Sequence, residues 1–375
     1  MSTLFLILLV GMPFSAFLIP SLNIWHVHGL WFWLWSLVLL GTSIFKEDKY
    51  STINIPFGLL TLWFGLITLF FAGRLLVVHQ IFASRLIFPF FNFMLIVLFY
   101  KFVVSYLNRD DIERIIKYLT ISVFLVLCYC VLQIFNLDQF YRGAAMLPND
   151  NSFDYLVGTI GNSHHLSGYL AICLPLFLYK KCILSRLGLY LTFGILGATG
   201  SATGLFTAVC VTGFISLFSR RLDWKDILVL VSMAVAFFGI KYQFNFKELI
   251  SLYGCPSGRI EIWKLLIEDF RKAPITGTGL GTFSIMTEKA GLEPWRHAHS
   301  EYLQILKEAG LIGLGLVIFC ITAFFKRLKR DLLSITLGGM FLGFTLVCLL
   351  SYPAHLWLLA SMGIFGYAGA IALQD

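Results

Sequence analysis

Apolar runs of about 17–22 residues recur along this chain, each long enough to cross a bilayer core of about 30 Å as a helix. Backbone amides find no water in hydrocarbon, so a chain built this way must close its hydrogen bonds within each helix. Of its 375 residues 58% are hydrophobic and 13% charged, which excludes an ordinary soluble domain. The reading is an all-α, polytopic membrane protein forming a single integral membrane domain over residues 1–375.

Twelve spans are expected, at 3–20, 29–45, 55–72, 86–107, 114–136, 165–181, 184–199, 202–219, 226–243, 302–325, 332–350 and 354–372. No basic residue precedes the first, which argues against a cleaved signal peptide. The net charge of +8 sits in short loops rather than in a nucleic-acid-binding patch. Loops after even-numbered spans hold Lys46 and Lys49; Arg109, Arg114 and Lys117; Lys180, Lys181 and Arg186; Arg220, Arg221 and Lys225; and Lys326, Arg327, Lys329 and Arg330. Short loops after odd-numbered spans offer Arg74, Arg85 and Arg142 alone. Basic residues stay on the cytoplasmic side, so both termini are expected there. The same bias demands a hairpin at Thr199-Gly200-Ser201-Ala202, because one span over 184–219 would put Lys180-Lys181 and Arg220-Arg221 on opposite sides. Parity then places the 137–164 loop and the long 244–301 loop outside.

Cys128, Cys130, Cys173, Cys182, Cys210, Cys320 and Cys348 lie in or at the ends of apolar segments, and Cys255 lies in the outer loop. Their spacing fits neither a metal site nor a disulfide framework. Within the outer loop, 259–272 reads as an amphipathic helix with Ile262, Trp263, Leu266, Ile267 and Phe270 on one face. It suits a helix at the membrane interface or one capping the bundle, ended at Ala273-Pro274. Thr276-Gly277-Thr278-Gly279-Leu280-Gly281 follows as a flexible loop, with no βαβ unit to make it a nucleotide site.

Chemistry concentrates just before the tenth span, in His297-Ala298-His299-Ser300-Glu301-Tyr302-Leu303-Gln304. Ionisable groups at a membrane border are costly, which makes them candidates for function. A helix N-terminus disfavours imidazolium, so His299 there would stay neutral and able to take a proton from a hydroxyl. Glu301 in the first turn, or His297, would orient it. The competing reading is a set of water-exposed interfacial anchors. Glu301, Gln304 and Glu308 share a helical face, beside Lys307, and belong either to the site or to its structural support. Arg259, Arg74 and Arg85 are outer cations whose planar forks suit phosphate oxygens, or lipid headgroups. A second polar patch, Gly161-Asn162-Ser163-His164-His165, opens the sixth span, with Asn162 or Ser163 as its cap and His164 lining the site. No metal ligand set is expected.

Three blocks, GNSHHLSGYLAICLPL, SGRIEIWKLLIEDFRKAPITGTGLGTF and HAHSEYLQILKEAGLIGLGL, resemble in order and spacing those of the O-antigen ligase and polymerase superfamily. The resemblance covers about residues 155–325. It implies a GT-C-like glycosyltransferase, free of metal and cofactor, with a large periplasmic loop between spans nine and ten. Such an enzyme would take a glycan from undecaprenyl diphosphate at the outer face of the bacterial inner membrane. The acceptor would be lipid A-core for a ligase, or another glycan for a polymerase; protein glycosylation is a third option. By resemblance His299 is the catalytic histidine, with His297 and Glu301 beside it. Arg259, Arg74, Arg85, Asn162, His164 and Gln304 would hold substrate. This sequence departs from the family with Ser300 in place of asparagine, Ser163-His164 in place of Pro-Asn, and Ala202 where a Ser-Arg pair is frequent. The last removes one diphosphate clamp and throws that charge onto Arg74, Arg85 or Arg259. A flippase would instead carry charges along a route through several spans.

Overall fold

In the computed structural model, the described residues are 2–18, 31, 32, 34, 57–67, 83–135, 137, 138, 156–219, 222–242, 259–289 and 297–374. Among them every regular element is helical. Helix α1 is Ser2–Gly11, α2 the Phe57–Ile67 stretch, α3 Ala83–Tyr106 and α4 Arg109–Ile134. Next come α5 Ser163–Cys173, α6 Pro175–Tyr179, α7 Ile183–Thr199, α8 Ala202–Ser219 and α9 Trp224–Tyr242. The chain ends with α10 Arg259–Phe270, α11 Thr282–Lys289, α12 Glu301–Arg327, α13 Leu332–Leu350 and α14 Trp357–Ala372. Four of these, α4, α8, α12 and α13, are long and apolar enough to cross a membrane unaided.

Most helix ends fall within a few residues of the sequence expectation. The hairpin is present: Gly200 adopts a left-handed φ of 62° and its N–H bonds to the Gly197 carbonyl, separating α7 from α8. The sixth span differs, since Pro175 divides it into α5 and α6. The last helix starts at Trp357, leaving 351–356 as a connection outside both helices.

Helices α5, α8, α13 and α14 pack together through a shared apolar core, with α3 against α14, α1 against α4 and α9 against α7. Helix association within lipid depends on close backbone approach, which small residues permit. A Cβ at Gly366 would stand 2.7 Å from the Leu337 carbonyl, and one at Gly343 3.1 Å from the Ile172 Cα. At one end of the bundle Arg109 meets Asp331 at 3.4 Å, and Lys329 donates to the carbonyls of Leu373 and Gln374. The starts of α4 and α13 and the C-terminal residues therefore share an end, opposite the start of α12.

The 276–281 segment is no flexible loop. Helix α12 is interrupted at Gly310, whose φ of 69° and ψ of −170° are open to glycine alone. Broken helices survive only where another group takes up the freed backbone bonds. Here Thr278 and Gly279 donate their N–H groups to the carbonyls of Lys307 and Glu308, at 3.0 and 2.8 Å. In return Pro274 and Ile275 accept from Leu311 and Ile312, at 2.9 and 3.3 Å. The indole of Trp63 on α2 takes the Ala309 carbonyl at 3.1 Å. The glycines are needed for this dock: a Cβ at Gly277 would lie 2.4 Å from the Glu308 carbonyl oxygen, and one at Gly310 2.2 Å from that of Ile275. Gly310→Ala is therefore expected to destabilise by at least about 3 kcal/mol, read as a lowered melting temperature in detergent. An unchanged melt would mean that the dock is dispensable.

Candidate active site

Helix α10 packs its apolar face against α12. Ile262 and Leu266 are buried with Phe283 and Ala298, and Trp263, Ile267, Met286 and Leu303 pack around them. It ends at Phe270, a little earlier than the sequence indicates. Lys307, 1% exposed, ties it to α12 through Asp269 at 3.5 Å and bonds Thr282 at 2.9 Å. Glu308 receives the N–H of Phe283 at 3.1 Å, near the positive end of α11. Lys307 and Glu308 thus brace α10 and the start of α11, and Glu308 also reaches the cavity wall.

This bracing positions the His-Ala-His turn. Ala298 is held on both sides: its N–H donates to Gln304 Oε1 at 3.2 Å and its carbonyl accepts the Trp263 indole at 2.8 Å. His299 has a φ of 53°, the one positive value at a non-glycine position among the described residues. Such backbone persists only where surrounding bonds enforce it, and it gathers at functional sites. Ser300, whose hydroxyl accepts from Leu303, then caps α12.

The two histidines meet on Tyr352. His297 stacks on its ring at 4.6 Å and 17°, and His299 meets it edge-on at 4.9 Å and 90°. His165 at the start of α5 reaches the Tyr352 hydroxyl with Nε2 at 3.2 Å. Asn162 is the cap of α5, its side-chain oxygen accepting from the N–H groups of His164 and His165 at 2.9 and 3.2 Å. His164 is exposed, yet near enough to His299 to act on its charge. The Tyr352 phenol is held above its usual range by burial, with Arg259 opposing and Glu301 adding to the rise.

Glu301 bonds a different histidine from the one expected. Its Oε1 is occupied by the Ala354 N–H at 2.8 Å and His355 Nδ1 at 3.1 Å. His355 also lies 4.3 Å ring to ring from His297, and its Nε2 faces Gln304 Nε2 at 3.3 Å. The basicity of His299 is lowered, chiefly by causes other than helix polarity. Burial, then the Arg259 charge, then His164 lower its pKa to about 4. Arg259 opens α10, where burial lowers its guanidinium below the ordinary range. Its Nε is buried without a hydrogen-bond partner among the described residues. Arg85 falls in the first turn of α3 with its side chain outside the described residues, and Arg74 lies wholly outside them.

These groups open onto one cavity of about 780 Å³. His297, His299, Glu301, Gln304, Tyr352 and His355 form part of its wall. Glu308, Asn92 and Thr345 also line it, and most of the remainder is apolar or aromatic, including Phe57, Phe64, Phe93, Phe341, Phe344 and Tyr367. Such a space suits an amphiphile with a long hydrocarbon part and a polar head. Among the described residues no three His, Cys, Asp or Glu side chains are grouped to hold a metal ion. Sequence reasoning passed over Tyr352 and His355. The signal was there in Ser351-Tyr352-Pro353-Ala354-His355, a polar break between two apolar spans on the side that parity assigns to the cluster.

Fold and site together define a helical membrane protein with an amphiphile-sized cavity walled at one end by imidazoles and carboxyl groups, with the Arg259 charge close enough to act on His299 and Tyr352. The family model described as O-Antigen ligase matches residues 187–318, and the resemblance to that superfamily read from the sequence holds. The match contains Arg259, His297, His299, Glu301 and Gln304, while Asn162, His165, Tyr352 and His355 lie outside it. The chain is also similar to the exopolysaccharide production protein ExoQ of Rhizobium meliloti (strain 1021), 24% identical over 215 residues. That alignment covers 49% of each protein, so the chain spans about half the length of this curated relative.

Proposed function

We propose that this protein is an O-antigen ligase-like glycosyltransferase. It moves a glycan from undecaprenyl diphosphate to a sugar hydroxyl of lipid A-core at the periplasmic face of the bacterial inner membrane. The cavity supports this reading most strongly, because its apolar depth and polar end match the two halves of a prenyl-linked donor. Arg259 brings a partly desolvated cation to the polar end, where a diphosphate leaving group needs compensation. His299 accepts the proton of the acceptor hydroxyl. The hydroxyl oxygen bonds to the anomeric carbon as the bond from that carbon to the diphosphate oxygen breaks, and its electron pair leaves with the diphosphate.

A base held near pKa 4 is poor at this task until something restores its basicity. The donor contributes to that: burial is the larger cause of the depression, and a diphosphate beside Arg259 offsets the second, the Arg259 charge. Proton uptake is thereby coupled to donor occupancy. Arg74 and Arg85 are further outer cations proposed to meet the diphosphate, with Asn162, His164 and Gln304 around the acceptor and His297 beside His299. The basic loops and both termini face the cytoplasm in this reading, which the shared end of Arg109, Asp331 and the C-terminal residues supports.

A second reading, a repeat-unit polymerase using the same donor and a glycan acceptor, draws support from the relative named for exopolysaccharide production. Deletion and complementation, followed on a lipopolysaccharide gel, separate the two. A ligase mutant loses all polymer from the core and accumulates it on lipid. A polymerase mutant shows core capped with single repeats. Unchanged lipopolysaccharide and capsular or exopolysaccharide in the mutant would reject both.

A further inference from the structure

The amide of Gln304 can be oriented in one way. Its Oε1 faces the Ala298 N–H at 3.2 Å, while its Nε2 faces Glu308 Oε1 at 3.5 Å and His355 Nε2 at 3.3 Å. Turning the amide over would set N–H against the Ala298 N–H and carbonyl oxygen against the Glu308 carboxyl group. Gln304 therefore donates to His355, and His355 Nε2 must accept. The imidazole proton is then on Nδ1, which donates to Glu301 Oε1 at 3.1 Å. Every donor in this chain of contacts meets an acceptor, and the last link holds the peptide between His297 and His299.

Resting on the function proposed above, we infer that His355 is a positioning residue for His299, acting through Gln304 and Ala298 as an imidazole that must be neutral at Nε2. Protonating Nε2 sets an N–H against the Gln304 amide hydrogens, so Gln304 has to turn away and release Ala298. His299, held at a φ of 53°, then loses a restraint that its backbone requires. The groups facing His355 are Glu301 and Glu308 from α12, the His297 ring before it, Tyr352 from its own segment and His165 from α5, which lines a small cavity with it. Burial opposes a charge on His355. Glu301, by charge and hydrogen bond, and Glu308 outweigh it and raise the imidazole above its ordinary value of 6.5. Activity in the free enzyme is thus lost on the acid side through His355 before His299 itself protonates near 4.

The test uses the full-length protein in nanodiscs with a polyprenyl-diphosphate-linked oligosaccharide as donor. His355→Ala is expected to lower kcat about 10- to 100-fold with the donor KM within about threefold, as loss of preorganisation does. His355→Gln offers an amide oxygen to Gln304 and cannot be protonated. It should recover most of that loss and move the acid limb of kcat/KM from above pH 6.5 towards 4. An acid limb unmoved in His355→Gln, while His299→Ala abolishes transfer, overturns the positioning role and leaves the enzyme reading standing. Should the wild type transfer nothing, the enzyme reading fails, and positioning is read from the carbethoxylation of His299 by diethyl pyrocarbonate. His355→Ala would then speed that labelling and His355→Gln would not; equal rates in all three proteins reject the proposal.

Discussion

Replacing His299 with alanine lowers glycan transfer by about 10³-fold or more, within the range spanned by loss of a positioned general base. The donor KM should change little, because the apolar cavity and Arg259 remain to bind lipid and diphosphate. His299→Asn, closer in size and still able to bond, should be nearly as poor, since it cannot take a proton. Initial rates with purified variants, alongside donor binding by quenching of a labelled lipid, separate the two effects. The same residue shapes stability. Its folded value of about 4 lies below the unfolded 6.5, so the unfolded chain takes up the proton first. His299 therefore costs stability as pH falls from about 6.5 to 4, a loss that His299→Ala should reduce. Thermal melts at pH 7 and pH 5 read the difference.

Arg259→Lys is expected to lower kcat/KM for the donor by about 10²-fold, and Arg259→Ala by somewhat more. A lysine keeps the charge but not the planar fork that grips two phosphate oxygens at once. It would also have to be buried where Arg259 Nε now lies buried, and an ammonium sheds water less readily. Loss of the guanidinium removes one cause of the depressed basicity of His299, so the acid limb that His299 sets in the His355→Gln background should rise when Arg259→Ala is added. A kcat/KM profile shows both effects together. Arginine contact with headgroups alone would leave activity within about threefold.

The helical character was legible because hydrocarbon length calls for helices of that length, and the distribution of basic residues demanded the hairpin found at Gly200. Arg259 and His299 were legible as residues that belong near one another, and Asn162 as the cap of a helix. Three things were not. The interruption at Gly310 leaves no mark in hydropathy, since Gly310-Leu311-Ile312-Gly313 reads as continuous span and the compensating bonds come from residues more than thirty positions upstream. The 276–281 segment looks loose because glycines signal freedom locally, whereas here they permit a close backbone dock. Glu301 pairs with His355, 54 residues away, and no helical periodicity links positions on different helices. The cause of the lowered basicity of His299 was similarly nonlocal: helix polarity was readable, but burial and the Arg259 charge require the packed turn.

The central claim is transfer from a lipid diphosphate at the His299 and Arg259 end of the cavity. It is tested most directly by reconstituting the purified protein in liposomes with a radiolabelled undecaprenyl-diphosphate-linked glycan and lipid A-core, without nucleotide sugars. The account predicts labelled glycan on the core and one undecaprenyl diphosphate released per transfer, with both lost in His299→Ala. Lipid-linked glycan delivered intact to the other leaflet with no product on any acceptor, unaffected by His299→Ala, would contradict it.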